Sequence, residues 1–172
     1  MVPSAFEKLG LPVSFTVDPG ELEKRYLELS RHSHPDHHDP ESGKTVEESM
    51  RESAALNEAH RVLADPIRRA EHLLALWGGP DASTDKSMPA EFLEQMLEWR
   101  EQAEDMGQAK ILIEQLNNRL DDGLKQLGDA FGPVENDAAR RVVRMKEIRQ
   151  RLNQLRSLRG LLREIEESQD SY

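Results

Sequence analysis

Apolar residues recur along this chain at intervals of three and four and show no period-two alternation, so the pattern predicts helices and no strands. A short helix from Phe6 to Leu9 is stopped by Gly10 and Pro12. The next opens at Asp18-Pro19-Gly20-Glu21, with Asp18 as cap, Pro19 at the first helical position and Glu21 where a capping-box acid belongs. Leu22, Tyr26 and Leu29 give it one apolar face, and it must end before Pro35, because the residue before a proline avoids the α region. The polar stretch from Asp36 to Lys44 contains Pro40 and Gly43 and reads as a loop. A third helix runs from about Thr45 to Ala64, with Leu56, Ala59 and Leu63 on its core stripe and Ala55 and Val62 beside them. Asp65-Pro66 ends it and opens a fourth, carrying Ile67, Ala70, Leu74 and Trp77.

Gly78-Gly79-Pro80 and the polar run to Ser87 then interrupt the pattern. They divide the chain into residues 1–78, a linker at 79–89 and residues 90–172. The second part reads as three longer helices. The first begins at Pro89, with Phe92, Met96 and Trp99 on one side and Leu93 and Leu97 next to them; Gly107 marks its end or a bend. The second carries Leu112, Leu116, Leu120, Leu124, Leu127 and Phe131 and stops at Gly132-Pro133. The last runs from about Val134 to Glu167, with Val142, Met145, Ile148, Leu152, Leu155, Leu162 and Ile165 on its stripe. Three amphipathic helices with short connections make an antiparallel bundle, so the fold class is all-α in two parts.

Composition narrows the functions available. With 33 acidic against 23 basic residues the net charge is -10, which disfavours a general nucleic-acid binder. No apolar run approaches the ~18 residues that span a bilayer, and the first residues lack the basic and apolar regions of a secretory signal, so the expectation is a cytoplasmic protein with no membrane partner. The absence of cysteine excludes disulfides, thiolate metal sites and cysteine nucleophiles. Charge is also unevenly placed. Residues 89–106 hold Glu91, Glu94, Glu98, Glu101, Glu104 and Asp105 against Arg100 alone, whereas residues 138–163 hold eight arginines and Lys146 against Glu147. Either these two helices lie side by side and balance each other, or the acidic face receives a partner, and both can hold.

The densest polar cluster is His32-Ser33-His34-Pro35-Asp36-His37-His38-Asp39. Its imidazoles and carboxylates suit a divalent metal, with His32, His34, His37 and His38 as ligands of a metal-dependent enzyme, but the histidines are sequence neighbours with no distant ligand beside them. A His–Asp acid–base pair would need a pocket that so small a helical unit hardly offers. The third reading is a recognition tip: Pro35 fixes the backbone, and Asp36 presents a carboxylate able to form a charge-assisted bidentate pair with a partner's arginine. The preceding helix carries basic Lys24, Arg25 and Arg31.

Around that tip the sequence resembles a known family. Phe6-Glu7-Lys8-Leu9-Gly10-Leu11-Pro12, the helix bearing Tyr26 and Leu29, His34-Pro35-Asp36, and Leu56-Asn57-Glu58-Ala59 leading to Val62-Leu63-Ala64-Asp65-Pro66 together resemble a J domain, the module that couples co-chaperones to DnaK-type ATPases. Arg69-Ala70-Glu71-His72-Leu73-Leu74 looks like the HscB type in particular, and Phe92-Leu93-Glu94-Gln95-Met96-Leu97-Glu98-Trp99-Arg100-Glu101 resembles the opening helix of the HscB C-terminal bundle. The resemblance implies a non-catalytic co-chaperone of iron–sulfur cluster assembly, without cofactor or metal. Its J domain would dock on an HscA- or DnaK-type chaperone through His34, Pro35 and Asp36 with Lys24, Arg25 and Arg31. Its bundle would hold an IscU-type scaffold protein through Leu93, Glu94, Leu97, Glu98, Glu101 and Asp105. Glu94 stands where the family commonly has an apolar residue, and Ser157 stands where it has an aromatic one on the last helix. Helical spacing is consistent with that face, because Leu93 and Leu97 lie one turn apart with the acids flanking them. The competing reading puts both leucines in the bundle core, but Phe92, Met96 and Trp99 already supply a core stripe.

Overall fold

A computed structural model of the protein describes residues 3–33, 45–132 and 138–169. Among them are seven helices and no strand: α1 (Ala5–Leu9), α2 (Pro19–Ser33), α3 (Val46–Ala64), α4 (Pro66–Leu76), α5 (Ala90–Ala103), α6 (Met106–Ala130) and α7 (Ala138–Gln169). The protein is all-α, and its chain divides into two compact units, Met1–Leu73 and Leu74–Tyr172.

In the first unit the helix ends follow the local chemistry. Ser4 caps α1 by a capping box with Glu7, and Gly10, at φ 63°, turns the chain out of it. Asp18 Oδ1 accepts the Glu21 amide at 2.7 Å, but the Glu21 carboxylate takes Arg25 Nε at 2.8 Å rather than reaching back to the cap. Thr45 and Glu48 form the capping box of α3, and Asp65 caps α4 by accepting the amides of Ile67 and Arg68. The core is small: Phe6, Leu9, Leu22, Ala59, Leu63, Ile67, Ala70 and Leu73 are buried. Tyr26, Leu29 and Leu56, expected on the same faces, are half-buried because the pair of α2 and α3 is covered on one side only. His72 fastens α1 to α4. Its Nε2 accepts the Ala5 amide at 3.0 Å, and its ring lies 5.9 Å from that of Phe6.

In the second unit α6 and α7 form the longest contact, with α5 against both. Phe92, Met96, Ala109, Leu112, Leu116, Leu158, Leu161, Leu162 and Ile165 make one continuous core. Gly123 lets α6 approach α7, since a Cβ there would meet the Leu155 side chain. At the end of α4, Gly78 takes φ 75°, and the amides of Gly78 and Gly79 bond back to Ala75 and Leu74, so the helix stops at the Gly-Gly-Pro punctuation. Trp77 then packs edge-on against Phe131, ring centres 5.1 Å apart.

Residues 79–89 are bound to α7. Asn153 Nδ2 donates to the carbonyls of Asp85 at 3.1 Å and Ser87 at 3.0 Å, while its Oδ1 accepts from Arg149 Nε at 3.0 Å. Arg149 has no exposed surface. Serine hydroxyls hold the carboxyl groups of Asp81 and Asp85 below their ordinary range, with the positive charge of Arg149 as a smaller contribution. One expected core position is corrected: Val142 is 48% exposed, and the buried stripe of α7 starts at Met145. At 32 residues, α7 is seven longer than the 25-residue α6. That excess is about 10 Å of helix, and it leaves the first turns of α7 uncovered.

Two stability predictions follow from these contacts. Asn153→Ala leaves two carbonyls and a buried guanidinium short of partners, and urea denaturation should show a loss of about 1–3 kcal/mol. His72 is held below its ordinary value by burial and, to a smaller extent, by the charge of Lys8. The unfolded chain therefore binds the proton more readily, so the stabilisation is complete above about pH 7 and is lost as pH falls below about 6.5 toward the folded value. Thermal melts between about pH 8 and pH 5.5 should show a steeper acid-side decline for the wild type than for His72→Gln, which keeps an acceptor without titrating.

Candidate functional site

Two surfaces carry the residues singled out by sequence. The first lies on the α2–α3 hairpin. Tyr26 Oη donates to Asn57 Oδ1 at 2.8 Å, and the Tyr26 and His60 rings lie 4.4 Å apart. His60 Nε2 meets Glu23 Oε2 at 3.1 Å. These pairs match ascending numbers on α2 with descending ones on α3, so the helices run antiparallel. The C-terminus of α2 and the N-terminus of α3 therefore share one end, where residues 34–44 join them. His34, Pro35 and Asp36 lie outside the described residues, as do His37 and His38, so both the recognition tip and the histidine metal reading fall there. Among the described residues no group of three or more acids and histidines is placed to hold a metal.

Lys24, Arg25 and Arg31 are all exposed on α2. Arg25 is engaged by Glu21, while Glu23 is drawn across to His60 on α3. Sequence reading missed this side-chain bridge, because a pairing between residues 31 and 37 positions apart leaves no periodic signal.

The second surface is the outward face of α5. Phe92 and Met96 are buried, and Trp99 closes the stripe with its ring edge-on to Phe92 at 6.2 Å. The Arg119 guanidinium lies over Trp99 at 5.1 Å and donates to Gln95 at 2.8 Å, which fixes the rotation of α5 on α6. That rotation turns Leu93 and Leu97 outward, 47% and 61% exposed. Glu94, Glu98 and Glu101 flank them, all exposed, and Glu104 adds a fourth carboxylate. Asp105 belongs to the same run but is committed elsewhere: it caps α6, accepting from Gly107 N at 2.8 Å and Gln108 Nε2 at 3.1 Å. Gly107 thus lies in the first turn of α6, beyond the end of α5. Ser157 is half-buried on α7, its hydroxyl 3.7 Å from Met88 Sδ.

An ion pair does join α5 and α7, with the signs reversed from the bulk of each helix. Arg100, the lone base of the acidic stretch, meets Glu164 at 3.5 Å. The outward carboxylates of α5 border the exposed leucines and make a face suited to an apolar partner surface with basic edges.

A family model described as the HSCB C-terminal oligomerisation domain matches residues 88–166. The co-chaperone protein HscB homolog of Shewanella amazonensis is 38% identical over 126 residues, covering 71% of this chain and 72% of that protein. The HscB homolog of Pasteurella multocida is 37% identical over 103 residues, 59% of this chain, and the match spans 60% of that relative's length. The crystal structure of the human co-chaperone protein HscB shares the fold, with a TM-score of 0.82 at 20% identity over 99% of this chain and 84% of that one.

The exposure of the two leucines gives a direct test. Leu93→Ala combined with Leu97→Ala should change the unfolding free energy by less than about 1 kcal/mol, as surface substitutions do. Met96→Ala, one position away on the buried stripe, should cost about 2–5 kcal/mol. Equal losses in urea titrations would move the leucines into the core.

Proposed function

The chain belongs to the HscB co-chaperone family, and from that premise we propose that it stimulates the ATPase of an HscA- or DnaK-type chaperone and delivers to it an IscU-type iron–sulfur scaffold protein. The outward pair Leu93 and Leu97, bordered by exposed acids within the segment that matches the family's C-terminal domain, carries this reading. In it, residues 1–78 form the J domain, residues 79–89 connect, and residues 90–172 hold the client. The chaperone-facing set is His34, Pro35 and Asp36 with the basic residues of α2. The client-facing set is Leu93, Glu94, Leu97, Glu98 and Glu101, with Asp105 contributing its charge from the cap of α6.

No bond is made or broken in this protein under the proposal. It acts by holding client and ATPase on one chain, so that the second encounter occurs at the effective concentration set by the tether. A tenfold faster hydrolysis needs a barrier only about 1.4 kcal/mol lower, a magnitude within reach of a single charge-assisted contact to the ATPase. No described helix is long and apolar enough to cross a membrane.

Single-turnover ATP hydrolysis by the cognate chaperone, with and without this protein and the scaffold, tests the proposal. Asp36→Asn and His34→Gln should abolish stimulation while the circular dichroism spectrum is retained; full stimulation by either removes the tip from the mechanism. Leu93→Ala with Leu97→Ala should weaken scaffold binding by about 10–100-fold in calorimetry and leave chaperone stimulation without scaffold intact.

A further inference from the structure

The first turns of α7 carry an apolar pair outside the core. Arg151 meets Gln126 at 2.7 Å and Gly123 faces Leu155, so α6 and α7 run antiparallel, and α6 ends opposite about residue 148 of α7. Val142 and Val143 lie ahead of that point, 48% and 56% exposed. Arg140 stands one turn before Val143 and Lys146 one turn after it, both exposed. Arg141 is exposed beside them and donates to the Trp77 carbonyl at 3.4 Å. Val143 lines a shallow groove with Ala139, Arg140, Arg144 and Glu147. The outward face of α5 has the same plan with the sign reversed: two exposed leucines among exposed carboxylates.

We propose that the start of α7 in one copy of this chain docks on the α5 face of a second copy and thereby occupies the surface assigned to the client. That face suits an apolar surface with basic edges, and Val142 and Val143 with Arg140, Arg141 and Lys146 have this chemistry. One chain cannot join its own two faces. Helix α5 lies against the far part of α7, where Arg100 meets Glu164 and Phe92 shares a core with Leu158. From Leu158 to Val143 is about 22 Å of helix. Each copy carries both faces, so two copies related by a two-fold axis make the contact twice and close. The apolar area is small and the charges lie at the surface, so the pair is weak and screened by salt. Glu147 and Arg100 have the wrong sign for the contact; Arg100 is engaged by Glu164. Exclusion of the client rests on the co-chaperone reading, whereas the pairing does not.

Sedimentation equilibrium of the full-length protein tests the pairing. At about 50 mM salt the protein should be a reversible dimer whose dissociation constant rises at least about tenfold at about 500 mM. Val142→Ser with Val143→Ser should raise it by about tenfold at low salt. Glu94→Lys with Glu98→Lys should prevent pairing, as should Arg140→Glu with Lys146→Glu, with thermal melts unchanged. An equimolar mixture of these two charge-reversed proteins should pair again, which damage to the fold of either could not produce. In calorimetry with the scaffold protein, the valine variant should bind several-fold more tightly than wild type at concentrations where the wild type is dimeric, and equally where it is monomeric. The proposal is overturned if the wild type stays monomeric at about 300 µM in low salt, if it grows beyond a dimer, if the mixture fails to pair, or if scaffold binds the dimer without dissociating it. If the scaffold binds no form of the protein, the client reading falls and the exclusion with it, and sedimentation alone decides the pairing.

Discussion

Arg149 has no exposed surface, so its charge must be answered inside the protein, and the answer organises the second unit. Its Nε is taken by Asn153, whose amide in turn holds the carbonyls of Asp85 and Ser87. Nearby Asp81 and Asp85 stay ionised easily, chiefly because Ser83 and Ser87 donate to them. A polar segment that would otherwise be a loose connector is thereby laid along α7 up to Met88. Helix α5 starts two residues later, so its point of departure is set by a hydrogen-bond relay rather than by its own apolar residues. A wholly apolar contact would be less directional and would hold that starting point less sharply.

Once α5 is placed, its narrow buried stripe decides what it shows. Phe92, Met96 and Trp99 fill the groove against α6 and α7, and Arg119 over Trp99 fixes the rotation. A helix seated by one stripe has most of its circumference left over. Here that remainder contains two exposed leucines among exposed acids. The economy differs on the first unit. There the polar bridge of Tyr26, Asn57, His60 and Glu23 supplements a small core and sets the register of the hairpin.

Much of this was legible in the residues. Asp18-Pro19, Asp65-Pro66 and Gly78-Gly79-Pro80 mark helix ends because each acts locally, through a side-chain acceptor, a fixed φ or a positive one. The α5 face was legible for the same reason, since helical spacing separates Phe92, Met96 and Trp99 from Leu93 and Leu97. Contacts between distant residues were not. Arg149 lies on a helix most of whose other arginines are exposed, and nothing in its neighbours distinguishes it. Val142 fits the heptad of α7 but lies where that helix has outrun its partners. Asp105 reads as one more acid in an acidic run, and only the break between α5 and α6 shows that it is a cap.

The two tryptophans have a practical consequence. Trp77 lies on Phe131 and Trp99 beneath Arg119, so both indoles belong to the unit that begins at Leu74. The other unit's described aromatic side chains are phenylalanines and a single tyrosine. Intrinsic fluorescence excited at the red edge therefore follows the melting of one half of this protein and is blind to the other. A denaturation curve recorded that way, compared with one from far-ultraviolet dichroism, reveals whether the halves come apart together or in turn.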